Sequence, residues 1–204
     1  MSSTSRILWL AAVAGVLGLA AGFMVSGGGR QLAMRALATD AGQLAVARAA
    51  PPATGVATPA LLGSPRPTLV LPDLEGRSRN LDEFASRPML INFLASWCEP
   101  CRRELPELDR YGKSQTRRGV QVIGVAVEEL ADARLLLDQV PVDFPVLIAG
   151  NAGIALMPQF GNVSGTLPYS VLIGADGRLR ARRIGTLAPG STEAWVEDAL
   201  AQEP

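Results

Sequence analysis

Hydrophobic positions divide the chain into an apolar run near its start and a longer part in which short elements alternate. Residues 89–95 (MLINFLA) and 120–127 (VQVIGVAV) are nearly continuous apolar runs, a pattern typical of strands buried on both faces. Residues 99–118 lie between them and repeat apolar residues at helical spacing. This order predicts two parallel strands joined by a helix with a right-handed crossover.

Shorter elements are predicted on both sides of this unit. Before it come a strand, a turn and one helical turn, at residues 68–73, 75–77 and 81–86. After it come a helix, a strand or sheet edge, a short helix, a hairpin and a closing helix capped by Ser191, at residues 131–139, 144–148, 152–160, 170–184 and from 191 onward. We therefore expect an α/β fold: a central mixed β-sheet flanked by helices, with an extra amino-terminal strand or hairpin.

The apolar run near the start, residues 7–25, contains no charged residue. As a helix its 19 residues would be about 28 Å long, close to the hydrocarbon thickness of a bilayer. We interpret residues 1–25 as an amino-terminal membrane anchor or signal segment. The small residues Gly18 and Ala20, in the segment 18–20, suit a cleaved signal peptide, whereas apolarity that continues to Val25 favours a retained transmembrane helix.

The rest of the chain is predicted to be a linker followed by one domain. Residues 26–65 are rich in Ala, Gly and Pro, and within them residues 30–50 fit either a plain spacer or a partner-binding helix. Residues 66–204 are numerous enough for one compact domain. The charge follows a similar division, since residues 1–64 carry a net charge of +3 and residues 65–204 a net charge of −3.

The composition excludes several classes of function. The 204 residues include 19 basic and 19 acidic residues, so no cationic excess favours nucleic-acid binding. The chain has no His, which excludes Ser-His-Asp and Cys-His nucleophiles. Its two Cys are too few to form a zinc site without other ligands. We therefore expect no metal and no nucleic-acid partner.

Both cysteines lie in the segment WCEPC, residues 97–101, which directly follows a predicted strand and opens a predicted helix. Positions i and i+3 in the first helical turn are about 5–6 Å apart, within reach of a disulfide bond. The positive end of the helix favours a thiolate over a thiol. We predict that Cys98 is an exposed thiolate that attacks a substrate disulfide, and that Cys101 resolves the resulting mixed disulfide.

A structural disulfide and a metal-binding pair are the other interpretations of two cysteines. A disulfide between positions i and i+3 closes a very small loop, so it stabilises the fold little through chain entropy. A lone CxxC without His offers only two of the four ligands of a structural zinc site. Redox activity is the interpretation that fits this spacing best.

The segment LINFLASWCEPCRRELPEL, residues 90–108, resembles the active site of the thioredoxin superfamily. It is most similar to the membrane-anchored TlpA/ResA-type thiol-disulfide oxidoreductases, which are related to the CcmG-type reductants of cytochrome c maturation. The resemblance covers about residues 66–203 and implies a thioredoxin fold that uses no cofactor besides a redox-active Cys98–Cys101 disulfide. It also implies a catalytic domain at the inner membrane that faces the periplasm or cell exterior, a membrane thiol-disulfide electron donor, and disulfides of exported proteins, with apocytochrome c among them, as substrates.

The same resemblance suggests roles for residues outside the cysteine pair. Pro168 matches the cis proline that lies opposite the cysteines in the superfamily, and Leu167 would border the substrate groove. Glu104 matches an acidic residue near the thiols. A carboxyl group in a poorly hydrated site has a raised pKa and can accept the Cys101 proton, although a solvated acid paired with Arg103 is the alternative.

The remaining candidate residues surround the cysteines in sequence. We expect Glu99 to be exposed and Trp97 to pack beside the disulfide, with a role in the core as the alternative for Trp97. Pro100 falls in the first helical turn, where its missing N–H costs little. The candidate substrate-binding residues are therefore Trp97, Glu99, Pro100, Leu167 and Pro168.

One departure from the family pattern bears on the subgroup. CcmG-like proteins usually have an acid directly after the cis proline, and this chain has Tyr169, which favours the broader TlpA/ResA group. A disulfide oxidant or isomerase on the same fold and a non-catalytic thioredoxin-like binding module are the alternative functions. A peroxiredoxin is disfavoured because its reactive Cys lies in a different, Thr-containing context.

Overall fold

The computed structural model describes residues 60–115 and 118–201, so the predicted anchor and most of the predicted linker lie outside the described residues. None of the helices within these two ranges is both long enough and apolar enough to cross a bilayer. The elements in chain order are β1 (Val70–Pro72), β2 (Ser78–Asn80), a first 3-10 helix (Leu81–Phe84), β3 (Met89–Leu94), α1 (Glu99–Ser114), β4 (Gln121–Ala126), α2 (Leu130–Gln139), β5 (Val146–Ile148), a second 3-10 helix (Asn151–Phe160), β6 (Tyr169–Ile173), β7 (Leu179–Ile184) and α3 (Thr192–Ala201).

A five-stranded mixed sheet with the order β5-β4-β3-β6-β7 forms the centre of the fold. The strands β3, β4 and β5 run parallel, and β3 pairs antiparallel with β6 on its other side. The last two strands, β6 and β7, form an antiparallel hairpin. The predicted mixed sheet, the parallel strand–helix–strand unit and the closing hairpin are thereby confirmed.

The predicted extra hairpin is also present, as a separate two-stranded sheet of β1 and β2. It leads into the first 3-10 helix through a capping box. The Asn80 side chain accepts a hydrogen bond from the Asp82 backbone N–H at 3.0 Å, and the Glu83 carboxylate accepts one from the Asn80 backbone N–H at 2.8 Å. Residues 63–66, where the predicted linker meets the predicted domain, hydrogen-bond to β7 and the turn before it.

The core packs on both faces of β3, the central strand, in which every residue is buried. Phe93 on this strand contacts two other rings, with centroid distances of 5.2 Å to Phe160 and 5.9 Å to Tyr169. The Tyr169 hydroxyl donates a hydrogen bond to the Phe160 carbonyl at 2.6 Å, which satisfies the one polar group of this cluster. Tyr169, which stands where CcmG-like proteins usually have an acid, is therefore part of the core.

One predicted detail of the helices is wrong. The helix predicted for residues 99–118 ends at Ser114, because Gln115 has an extended backbone and its side chain accepts a hydrogen bond from the Val120 N–H. Ser191 directly precedes the closing helix, as predicted: its carbonyl accepts a hydrogen bond from the Trp195 N–H at 3.1 Å, and its hydroxyl donates to the Ala188 carbonyl at 2.7 Å. A cap by the Ser191 side chain stays a prediction.

Candidate active site

The two cysteines lie where β3 leads into α1. Cys98 is the N-cap residue of the helix, and its Sγ accepts a hydrogen bond from the Cys101 backbone N–H at 3.2 Å. The cysteines form a disulfide, with an S–S distance of 2.00 Å and a Cα–Cα distance of 5.3 Å. Pro100 lies in the first turn of α1, where a backbone N–H has no acceptor within the helix. The N–H that proline lacks therefore costs the helix no hydrogen bond. On reduction, the Cys101 N–H and the positive end of the helix favour a thiolate at Cys98.

The exposure of Cys98 differs from the prediction. Cys98 is only 5% exposed in this disulfide form, where it belongs to the buried core. Cys101 is 1% exposed, so Cys98 remains the more accessible of the two, in the order that the sequence predicts.

The neighbours of Cys98 in sequence provide the exposed surface around the disulfide. Trp97 is 63% exposed, which rules out the alternative of a core role. The Glu99 side chain is exposed, as predicted, and forms ion pairs with Arg103 at 3.1 Å and Arg102 at 3.6 Å. Exposed ion pairs of this kind stabilise a protein little, so Glu99 remains available to a partner.

The Leu167–Pro168 peptide bond is cis, as the resemblance implies. Pro168 immediately precedes β6, whose first residue Tyr169 pairs with Phe93 on β3. The cis proline and the loop that carries Cys98 therefore lie at the same end of the central sheet. Leu167 is half-buried beside it. Substrate binding by these residues stays a prediction.

Glu104 lies one helical turn after Cys101 and is 2% exposed. Its Oε1 accepts a hydrogen bond from the Leu187 backbone N–H at 2.7 Å, and its Oε2 accepts one from Asn92 Nδ2 at 3.3 Å. Burial raises the pKa of Glu104 to about 7, although both hydrogen bonds and the charge of Arg183 oppose this rise. The alternative of a solvated acid is wrong, because the carboxyl is buried.

Sequence reasoning missed two buried polar residues next to Glu104. Asn92 on β3 donates from Nδ2 to Glu104 and also to the Ser170 hydroxyl on β6, at 3.0 Å. Both residues are almost completely buried. The signal was present in the sequence, since each is the polar residue in an otherwise apolar strand, but the sequence alone does not show that these residues meet.

A second buried acid contacts the loop before Cys98. Glu128 follows β4, and its Oε2 accepts hydrogen bonds from the Ser96 N–H at 2.8 Å and from the Ser96 hydroxyl at 2.5 Å. Its other oxygen, Oε1, is buried and finds no hydrogen-bond partner among the described residues. An acid that directly follows an apolar run is the signal that could have identified it. Glu128 helps to fix the loop that presents Trp97 and Cys98.

The described residues contain no group of three or more His, Cys, Asp or Glu side chains that could hold a metal ion.

Comparison with known proteins places this arrangement among thiol-disulfide enzymes. A family model described as the AhpC/TSA family matches residues 62–182, which include both cysteines and Pro168. Two relatives named thiol-disulfide oxidoreductase ResA, from Bacillus anthracis and Geobacillus thermodenitrificans, are 28% and 29% identical over 137 and 141 residues. These alignments cover 67% and 69% of this chain and 77% and 79% of the relatives.

Solved structures give the same result. A crystal structure described as a candidate DsbE-type thiol:disulfide interchange protein, from Chlorobium tepidum, has a TM-score of 0.60 and 26% identity, and covers 68% of this chain and 97% of its own. A thioredoxin-related protein from Neisseria meningitidis serogroup B has a TM-score of 0.58 and 26% identity, and covers 63% of this chain and 97% of its own.

Proposed function

Because the chain belongs to the AhpC/TSA family and is a thiol-disulfide oxidoreductase of the ResA and DsbE type with a thioredoxin fold, we propose that it reduces the disulfides of exported proteins outside the cytoplasm. The observation that carries this proposal is the Cys98–Cys101 disulfide at the amino terminus of α1, at the end of the sheet where the cis Leu167–Pro168 bond also lies. A disulfide placed there can accept and release two electrons without a cofactor.

The reaction begins with the reduced enzyme. The Cys98 thiolate attacks one sulfur of the substrate disulfide, so a mixed disulfide forms and the other substrate sulfur leaves as a thiolate, which takes up a proton. Cys101 then loses its proton and attacks Cys98 Sγ. This step releases the second substrate thiolate and restores the Cys98–Cys101 disulfide. The substrate gains two electrons and the enzyme loses two.

We assign to Glu104 the role of accepting the proton that Cys101 loses. The two residues are one helical turn apart on α1, and a carboxyl group with a pKa of about 7 exchanges protons readily near neutral pH. Because Glu104 is buried, it can hold this proton away from bulk water while Cys101 attacks. A membrane thiol-disulfide protein would then return two electrons to the disulfide.

The proposed location rests on the sequence before the domain. The uncharged run of residues 7–25 suits a membrane anchor, and residues 26–65 suit a tether between the membrane and the domain. The substrate disulfides that we propose are those of the haem-binding cysteines of apocytochrome c or of another exported protein, such as a copper-site thiol pair.

The direction of electron flow is tested by the reduction potential of the full chain in detergent, measured by equilibration with thiol-disulfide buffers. We expect a value well below that of a strong oxidant such as DsbA, which is about −120 mV. A potential close to that of DsbA would assign the chain to the alternative function of a disulfide oxidant.

The location is tested by accessibility in intact cells. We expect that a membrane-impermeant maleimide labels the reduced Cys98 of the full chain without cell lysis, once the outer envelope is opened. The chain should also remain in the membrane fraction after a carbonate wash. The matched control is a variant with residues 7–25 deleted, which should lose both properties. Labelling only after lysis would contradict the proposed orientation.

A further inference from the structure

We propose that Asn92 is a positioning residue for Glu104: its side-chain amide, held by Ser170, keeps the Glu104 carboxyl in one orientation through changes of its protonation state. This inference deepens the proposed function, because it rests on the assignment of the Cys101 proton to Glu104. It concerns a contact between β3, β6 and α1.

The geometry supports a fixed position for the carboxyl group. Asn92 Nδ2 lies 3.3 Å from Glu104 Oε2 and 3.0 Å from Ser170 Oγ, so one amide group bridges a helix and the neighbouring strand. The other carboxyl oxygen, Oε1, accepts from the Leu187 N–H at 2.7 Å. Asn92, Ser170 and Glu104 are all almost completely buried. A buried polar group without a partner costs free energy, so each of these bonds constrains the others.

An amide suits this position because it has both donor and acceptor atoms. While Glu104 is ionised, Asn92 Nδ2 donates to the carboxylate. When Glu104 takes up a proton, a rotation of the amide group presents Oδ1, which can accept from the new O–H, and the Ser170 hydroxyl can donate instead of accept. The Asn92–Ser170 pair therefore matches both protonation states, whereas an apolar side chain matches neither.

The influence of other charged groups on the pKa of Glu104 must be distinguished from that of Asn92. Arg183 faces it from β7, and its charge opposes the rise of the Glu104 pKa. Glu107, one turn further along α1, is already bound by Arg110 at 2.8 Å. The Leu187 N–H is a backbone group that side-chain substitution leaves in place. A substitution at Asn92 thus removes the hydrogen-bond donor that β3 contributes to Glu104, and it leaves the other groups in place.

The test is a carboxyl titration of the full chain, labelled with carbon-13 at glutamate, oxidised and held in detergent micelles. The Glu104→Gln variant identifies the Glu104 signal by its loss. In Asn92→Leu we expect the titration midpoint of Glu104 to rise by about one pH unit, because the lost hydrogen bond to the carboxylate is stronger than the lost hydrogen bond to the neutral carboxyl. The matched control is Asn162→Leu, which removes an equally buried amide that bonds Thr166 and Ser164 instead; its Glu104 midpoint should equal that of the wild type.

A second variant keeps the test decisive if Asn92→Leu does not fold. Asn92→Asp has almost the same shape and places a second carboxyl beside Glu104, so the two acids should titrate as a coupled pair with one midpoint well above the wild-type value. If the Glu104 midpoint stays within about 0.3 pH units of the wild type in the folded variants, the role of Asn92 is structural only and the inference is wrong. Because no substrate takes part, this outcome is independent of whether the chain reduces disulfides.

Discussion

Cys98→Ser is expected to abolish disulfide reduction, whereas Cys101→Ser is expected to halt the reaction at a mixed disulfide. We propose Cys98 as the nucleophile because it is the N-cap of α1 and the less buried of the two cysteines, and a serine hydroxyl does not replace a thiolate in disulfide exchange. Loss of a covalent nucleophile lowers turnover by at least about 10³-fold. The measurement is the reduction of insulin by the full chain with dithiothreitol as electron source.

The two serine variants control for each other, because they change neighbouring positions of the same helical turn. Mass spectrometry of Cys101→Ser exposed to an extract of exported proteins should reveal an adduct through Cys98, and the mass of that adduct identifies the partner. Cys98→Ser should give none, because Cys101 is buried. Undiminished activity of both variants would instead favour a non-catalytic binding module.

The central strands of this fold were predictable because the apolar sequence of each strand by itself indicates that the strand is buried. Residues 89–95 and 120–127 are apolar at nearly every position, and the structure places β3 and β4 within them as central parallel strands. The end of α1 was less predictable. Pro106 and Gly112 lie within the helix without ending it, and the helix ends instead after Ser114, where the Gln115 side chain bonds the backbone of Val120.

The cysteine pair could also be predicted from the local sequence, whereas the contacts of Glu104 could not. The spacing of Cys98 and Cys101 is a local signal, and the structure confirms that their geometry suits a disulfide. The partners of Glu104 are not local: Leu187 is 83 residues away in sequence, and Asn92 meets Ser170 across 78 residues. Only the register of β3 against β6 and the fold of the chain after β7 bring these groups together. Sequence reasoning therefore finds the sulfurs and the acid, but not the hydrogen bonds that hold the acid.

Glu104→Gln is expected to stabilise the folded chain at high pH and to have little effect at low pH. The pKa of Glu104 is raised from 4.5 to about 7 by burial. The folded state therefore binds the proton more tightly than the unfolded state, and this contribution to stability is fully present below pH 4.5 and lost as the pH rises through about 7. Glutamine carries no charge at any pH. The free energy of unfolding of the variant, relative to wild type, should therefore rise by about 3 kcal/mol between about pH 4 and pH 8.

The measurement is urea unfolding of both oxidised proteins across this pH range, and Glu107→Gln is the matched control. Glu107 is another buried acid of α1, but the hydrogen bond from Arg110 lowers its pKa. Its contribution to stability is present at high pH and lost as the pH falls, so Glu107→Gln should destabilise the fold most at high pH, the opposite sign to Glu104→Gln. Equal pH profiles for Glu104→Gln and wild type would mean that the Glu104 carboxyl is not desolvated in the folded protein. That result would also remove the physical basis for assigning the Cys101 proton to Glu104.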